Sequence, residues 1–252
     1  MNGTSRLPVP NAPVAARTHS GAGRTGFGRE IARVRAVLWK DLTTERRAKA
    51  NFNAVAFLAG LILLMFEFAL GPDAQALTDA APGAIWLTVL FSGVLSFNRS
   101  YEQEMENGAL DALLLYPGER RSIFVGKLLA NLVFVLAVVV VLLLVAALMF
   151  NLPVLRVAVP LGSIVFLGTL GFVTLGTFYA AIASRLRARE VLLPLLLFPM
   201  LIPLLVPAVE ATGDVLSGSI MGNVGGWIKL LIVFDVIFLA ASVYAFEYVI
   251  EE

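Results

Sequence analysis

The chain has 252 residues, 59% hydrophobic and 15% charged, where soluble globular domains run nearer half and a quarter. Its 19 Lys and Arg balance 18 Asp and Glu, so no basic surface points to nucleic acid. Cysteine is absent, which excludes a disulfide framework, a thiolate metal site and a cysteine nucleophile.

Residues 1–28 hold Pro8, Pro10, Pro13, Gly21, Gly23, Gly26 and Gly28 among scattered arginines, without the apolar core of a secretory signal. This composition predicts a disordered cytoplasmic tail over 1–28 and a single membrane domain over 29–252. Within 30–50, Ile31, Val34, Val37, Leu38 and Leu42 recur at helical spacing, with Arg33, Arg35, Lys40, Arg46 and Arg47 among them. An apolar stripe beside basic residues predicts an interfacial helix in contact with membrane lipids, in preference to a plain linker helix.

Six runs that follow are long and apolar enough to cross about 30 Å of hydrocarbon: 52–70, 81–97, 123–150, 157–184, 191–209 and 227–248. The second is the shortest. Seventeen of the nineteen basic residues fall in the N-terminal region, the 99–127 segment and the loop with Arg185, Arg187 and Arg189, all on one side of a six-span chain. The positive-inside rule makes that side, and both termini, cytoplasmic. The predicted fold is therefore all-α: an integral membrane protein built as a six-helix transmembrane bundle, with an N-terminal interfacial helix and a cytoplasmic coupling helix.

Glu67 lies about one turn from the outer end of the first span, close enough to reach the headgroups. Between the second and third spans the chain reads Asn98-Arg-Ser-Tyr-Glu-Gln-Glu-Met-Glu-Asn-Gly-Ala-Leu-Asp-Ala-Leu-Leu-Leu-Tyr-Pro117. Glu102, Glu104 and Glu106 give it an acidic edge. Tyr101, Met105, Ala109 and Leu113 share one helical face, broadened by Leu110 and Leu114. Gly108 breaks or bends the helix, and Pro117 ends it. Resting on the bilayer is disfavoured for an acidic segment, because the cytoplasmic leaflet is itself negative. Docking of a protein partner on this segment is the reading preferred.

Gly162, Gly168, Gly171 and Gly176 in the fourth span allow close helix approach. The fifth span holds Pro194, Pro199, Pro203 and Pro207; each removes a backbone hydrogen bond, which predicts a repeatedly kinked helix. Asp235 sits about eight residues into the sixth span, where a charge costs about 2.5–3.5 kcal/mol on insertion scales. It is expected to be turned inward, paired or protonated.

The acidic cluster, then Gly108, Leu110, Leu113, Leu114, Pro117, and then Gly126-Lys127 entering an apolar span resemble the membrane subunits of type-2 ABC exporters. Asn98-Arg99-Ser100, the run from Gly126 to Asn131, the block Arg189–Pro203 and Trp39-Lys40-Asp41-Leu42 are similar, more narrowly, to the haem exporter B proteins of cytochrome c maturation. The resemblance covers about residues 30–250; the first 28 have no place in it. It implies a permease subunit in a bacterial inner membrane, without an ATPase of its own. The chain has no Gly-x-x-x-x-Gly-Lys-Ser/Thr loop. The implied partners are a cytoplasmic ABC ATPase docking on 99–121, a haem-handling membrane protein, a haem chaperone and a second copy of the chain.

Haem ligands are usually His, Cys, Met or Tyr. The sole histidine, His19, lies in the tail, so no cofactor is expected on this chain and haem enters only as cargo or as a partner's ligand. Two alternatives stay open: a type-2 exporter subunit for a lipid or drug, and a stand-alone secondary transporter. The second would usually show more intramembrane carboxylates or two matched interrupted halves. No catalytic set lies within the spans.

Overall fold

A computed structural model describes residues 26–47, 49–106, 120–183, 189–218 and 223–249. The described helices are α1 (Gly26–Arg47), α2 (Lys49–Leu70), α3 (Ala74–Glu106), α4 (Arg120–Met149), α5 (Ala158–Ala183), α6 (Arg189–Leu216) and α7 (Val224–Val249). Among the described residues six of these, α2 to α7, are long and apolar enough to cross a membrane. All six spans read from the sequence are present. The tail lies outside the described residues, except that α1 already begins at Gly26.

Local chemistry sets the helix ends. α2 stops at Gly71, whose φ of 68° lies in the left-handed region that glycine tolerates; its N–H donates to the Glu67 carbonyl at 3.0 Å. Asp73 then caps α3, its Oδ1 accepting from the Gln75 and Ala76 N–H groups at 2.9 and 3.2 Å. α6 closes in the same manner as α2, at Gly218 with φ of 79°.

Two spans differ from their sequence reading. The second begins at Ala74, not at 81, and its helix runs 33 residues through Pro82 to Glu106. Pro82 falls within the helix, and the Asp73 cap supplies the true start. The fifth continues past Val209 to Leu216. Glu210 faces outward, while Ala211 and Thr212 beyond it remain buried, so the first charge does not end the helix.

α3 and α5 form the centre. α3 packs on α2, α4, α5 and α6, and α5 packs on α3, α4, α6 and α7. Their contact is a row of aromatic rings set against glycines. Trp86 of α3 lies against Gly168, Phe172 of α5 against Gly93, and Phe97 of α3 against Gly176; a Cβ on any of the three glycines would collide with the ring. The pairs ascend together along both helices, so the two run parallel. Phe97 and Phe172 also meet ring to ring at 5.4 Å. Gly162 does not belong to this row, since nothing lies within 4 Å of a Cβ placed there.

α1 is a helix, but its apolar stripe does not act as one surface. Val37 is buried against α4, and a Cβ at Gly126 would come within 2.8 Å of the Val37 Cβ and 3.2 Å of the Val34 carbonyl oxygen. Ile31 and Trp39 point away, 52% and 74% exposed. The stripe is broad enough that α4 takes one edge and leaves the other uncovered.

Candidate functional site

The proposed coupling segment starts as a direct extension of α3. The helix passes from its apolar part, which ends near Phe97, through Tyr101, Glu102, Glu104, Met105 and Glu106 without interruption. At 1.5 Å per residue, 33 residues span about 50 Å, against roughly 30 Å of hydrocarbon. The acidic run therefore rides on the same rigid rod as the buried core of the bundle. Gly108, Leu110, Leu113, Leu114 and Pro117 lie outside the described residues. α4 begins at Arg120.

Asp235 on α7 is 4% exposed, and neither carboxylate oxygen has a hydrogen-bond partner among the described residues. Its surroundings come from α5 and α6: a Cβ at Gly171 would lie 2.5 Å from its Oδ1 and 2.7 Å from Leu204 Cδ1. Gly171 thus makes the room that the carboxyl group occupies. Glu67 is half-buried on α2, one turn before Gly71, far along the chain from Asp235 and not joined to it by any described contact.

α6 remains one continuous helix through Pro194, Pro199, Pro203 and Pro207. Leu193, Leu197, Leu201, Leu204, Ala208, Ala211 and Val215 form its buried seam, each at most 1% exposed. Their steps of three and four residues keep one face on the bundle. Pro199 and Pro203 lie on the opposite, exposed side, while Pro207 is buried and Pro194 half-buried. Loss of an N–H on the outer side leaves the inner packing intact.

Sequence reasoning missed the polar contacts between helices. Trp86 Nε1 donates to Thr212 Oγ1 at 3.0 Å inside the bundle, and Thr212 donates in turn to the Ala208 carbonyl at 2.7 Å. Asn131 Nδ2 donates to Thr177 Oγ1 at 3.0 Å, tying α4 to α5. Lys127, near the start of the third span, is 4% exposed. Residues 126 positions apart, such as Trp86 and Thr212, leave no local signal in the sequence. Gly126 did carry one, because a glycine one turn inside a span often marks close helix approach. Among the described residues no group of three His, Cys, Asp or Glu is placed to hold a metal ion.

These features define a polytopic α-helical membrane protein whose central span continues beyond the apolar layer as a helical rod. The family model for the CcmB protein matches residues 32–252, and the chain belongs to the CcmB family. It is similar to heme exporter protein B of Pseudomonas aeruginosa, 31% identical over 62% of this chain and 69% of that relative. The Rhodobacter capsulatus heme exporter protein B is 30% identical over 66% of this chain and 76% of its own length. That of Paracoccus denitrificans is 32% identical over 74% and 85%.

Proposed function

We propose that this chain is the membrane subunit of an ABC-type complex required for haem export to the outer side of a bacterial inner membrane, where haem is attached to c-type cytochromes. Support comes from the relatives' name, heme exporter protein B, and above all from the continuity of α3 between the core and the acidic run. A cytoplasmic ATPase subunit grips 99–121 through its acidic edge and apolar face. Because α3 is one helix packed on α5 by rings against glycines, displacement of its Glu106 end moves both central spans. ATP hydrolysis belongs to the partner, since this sequence carries no phosphate-binding loop. Both termini are cytoplasmic, from the distribution of Lys and Arg.

Haem is cargo in this reading. The iron is held by a haem-handling membrane protein and a haem chaperone, and the stroke of the complex releases the loaded chaperone. A second copy of the chain completes the membrane part.

Reversing Glu102, Glu104 and Glu106 to Lys is expected to abolish ATPase co-purification while the bundle still folds and inserts. Undiminished co-purification refutes the docking assignment. A deletion strain is expected to lose covalent haem from its c-type cytochromes; normal cytochromes would instead favour a different exported substrate.

A further inference from the structure

Among the described residues Asp235 is the only buried carboxyl group, and the function proposed above gives it no part. It lies eleven residues into α7, about 16 Å along the axis, near the middle of a ~30 Å apolar layer. Three neighbours build its room. Gly171 of α5 leaves out a side chain, Leu204 of α6 lies on one side, and Phe234, its ring 4.3 Å from that of Phe238, lies on another. The α6 wall is also poor in hydrogen bonds. Pro203 and Pro207 flank Leu204 and supply no N–H, so the Pro199 and Pro203 carbonyls lack their helical donors.

Among the described residues no counter-charge faces this carboxyl from the helices packed on α7, which are α4, α5 and α6. α5 has no charged residue, and its titratable Tyr179 is about 12 Å along the helix from Gly171. On α6 the charges stand toward the two ends, and Glu210, the nearest to Leu204, is exposed. Arg120, Arg121 and Lys127 of α4 lie at the end where Phe124 meets Phe246, about 16 Å along α7 from Asp235. On α7 itself Lys229 is exposed, and Tyr244, Glu247 and Tyr248 lie toward that same far end. An ionised carboxylate here would have neither water nor a cation, an arrangement that costs several kcal/mol or more. The neutral acid carries no such cost.

From this enclosure we propose that Asp235 is a proton-binding site whose release of the proton is tied to the parting of α7 from α5 and α6. The packed bundle holds the neutral acid. When the seam parts, the O–H bond breaks, the electron pair stays on the carboxylate, and the proton passes to entering water, which then solvates the charge. The seam gives way at the α6 wall, where Pro203 and Pro207 leave that helix least braced. The packed state keeps the proton and the open state gives it up, so low pH favours packing and rising pH favours opening. The site stands on the membrane bundle alone. That its two states belong to the transport cycle rests on the function proposed above.

The chain lacks cysteine, so Ser163→Cys on α5 and Val233→Cys on α7, both exposed positions, can carry a pair of spin labels in the full-length protein in nanodiscs. The distance between the labels is measured from acid to mildly alkaline pH. One short distance is expected in acid. A longer one should grow as pH rises, the ratio of long to short changing on the order of ten-fold per pH unit, the slope for one proton. Asp235→Asn keeps the shape and cannot ionise, so it should hold the short distance throughout. Infrared spectra of the unmodified protein need no variant at the site. The highest-frequency acid C=O band, that of a carboxyl group without a hydrogen bond, should fade as the longer distance grows. A distance that does not respond to pH overturns the proposal. So does an equal pH response in Asp235→Asn, or a band that fades with no change in distance. The ATPase takes no part in either readout, so failure of this site is distinguishable from failure of the coupling segment.

Discussion

Gly176→Ala tests the packing at the centre of the bundle. A Cβ at this position would lie 2.5 and 2.7 Å from Cζ and Cδ2 of Phe97, with Cε2 closer still. Phe97 is fully buried and already rests on Phe172, so its ring has no free direction to turn. Restoring ordinary contact requires α3 and α5 to separate by roughly 1 Å, and overpacking of this kind costs about 1–3 kcal/mol. Alanine returns about 0.5–1 kcal/mol as the better helix former, leaving a net loss of about 0–2.5 kcal/mol centred a little above 1. At about 2–4 °C per kcal/mol for a chain of this size, the variant should melt several degrees lower in detergent. Gly162→Ala is the control. It meets nothing within 4 Å and should melt at or slightly above the unmodified protein. Phe97→Leu should recover part of the Gly176→Ala loss by removing the ring. Equal melting of Gly176→Ala and the unmodified protein would refute the ring-against-glycine reasoning.

Other substitutions probe the polar contacts. Thr212→Val leaves the Trp86 indole N–H buried without its acceptor and should cost about 1–3 kcal/mol in a denaturation measurement. Asn131→Leu removes the link to Thr177 and should cost on the order of 0.6 kcal/mol, typical of hydrogen bonds between membrane helices. Asp235→Leu removes a buried group whose oxygens have no described partner, so stability in detergent should hold or rise. Retained assembly with lost cytochrome c maturation would then give Asp235 a working role. Retained activity would make it a tolerated polar residue, and a large loss of stability would contradict its unpartnered placement.

The spans were legible because continuous apolar runs are a strong signal, and the prolines of the fifth were correctly kept inside one span. Their ends were less so. The second reads as apolar only from 81, because Gln75, Thr78 and Asp79 dilute the run before it, whereas α3 begins at Ala74. Asp79 in fact lies in a well-capped first part of α3, accepting from Gln75 Nε2 at 2.9 Å. Neither the cap at Asp73 nor the seat of Val37 on Gly126 was read from the sequence, although both residues are of the type those roles require. Which glycines meet rings was not legible: Gly162 and Gly176 look alike in sequence, and only three-dimensional pairing separates them. Asp235 stood out because a carboxylate amid apolar residues is conspicuous. Its confinement by Gly171 and Leu204 depended on helices distant in the chain.

The central place of α3 also bears on the order in which the protein is made. It is the least apolar of the six spans and the most enclosed, and its buried face carries Thr88, Ser92 and Ser96. Ser92 and Ser96 lie beside Phe134, Val135, Val138 and Val139 of α4, whereas Trp86 is covered by Gly168 of α5 and Thr212 of α6, which emerge from the ribosome later. Until they arrive, α3 holds an indole N–H toward lipid or toward the insertion machinery. Newly made chain truncated before α5 is therefore the form most exposed to quality-control proteolysis, and completion of the sixth helix, where Thr212 meets Trp86, is the event that ends that exposure.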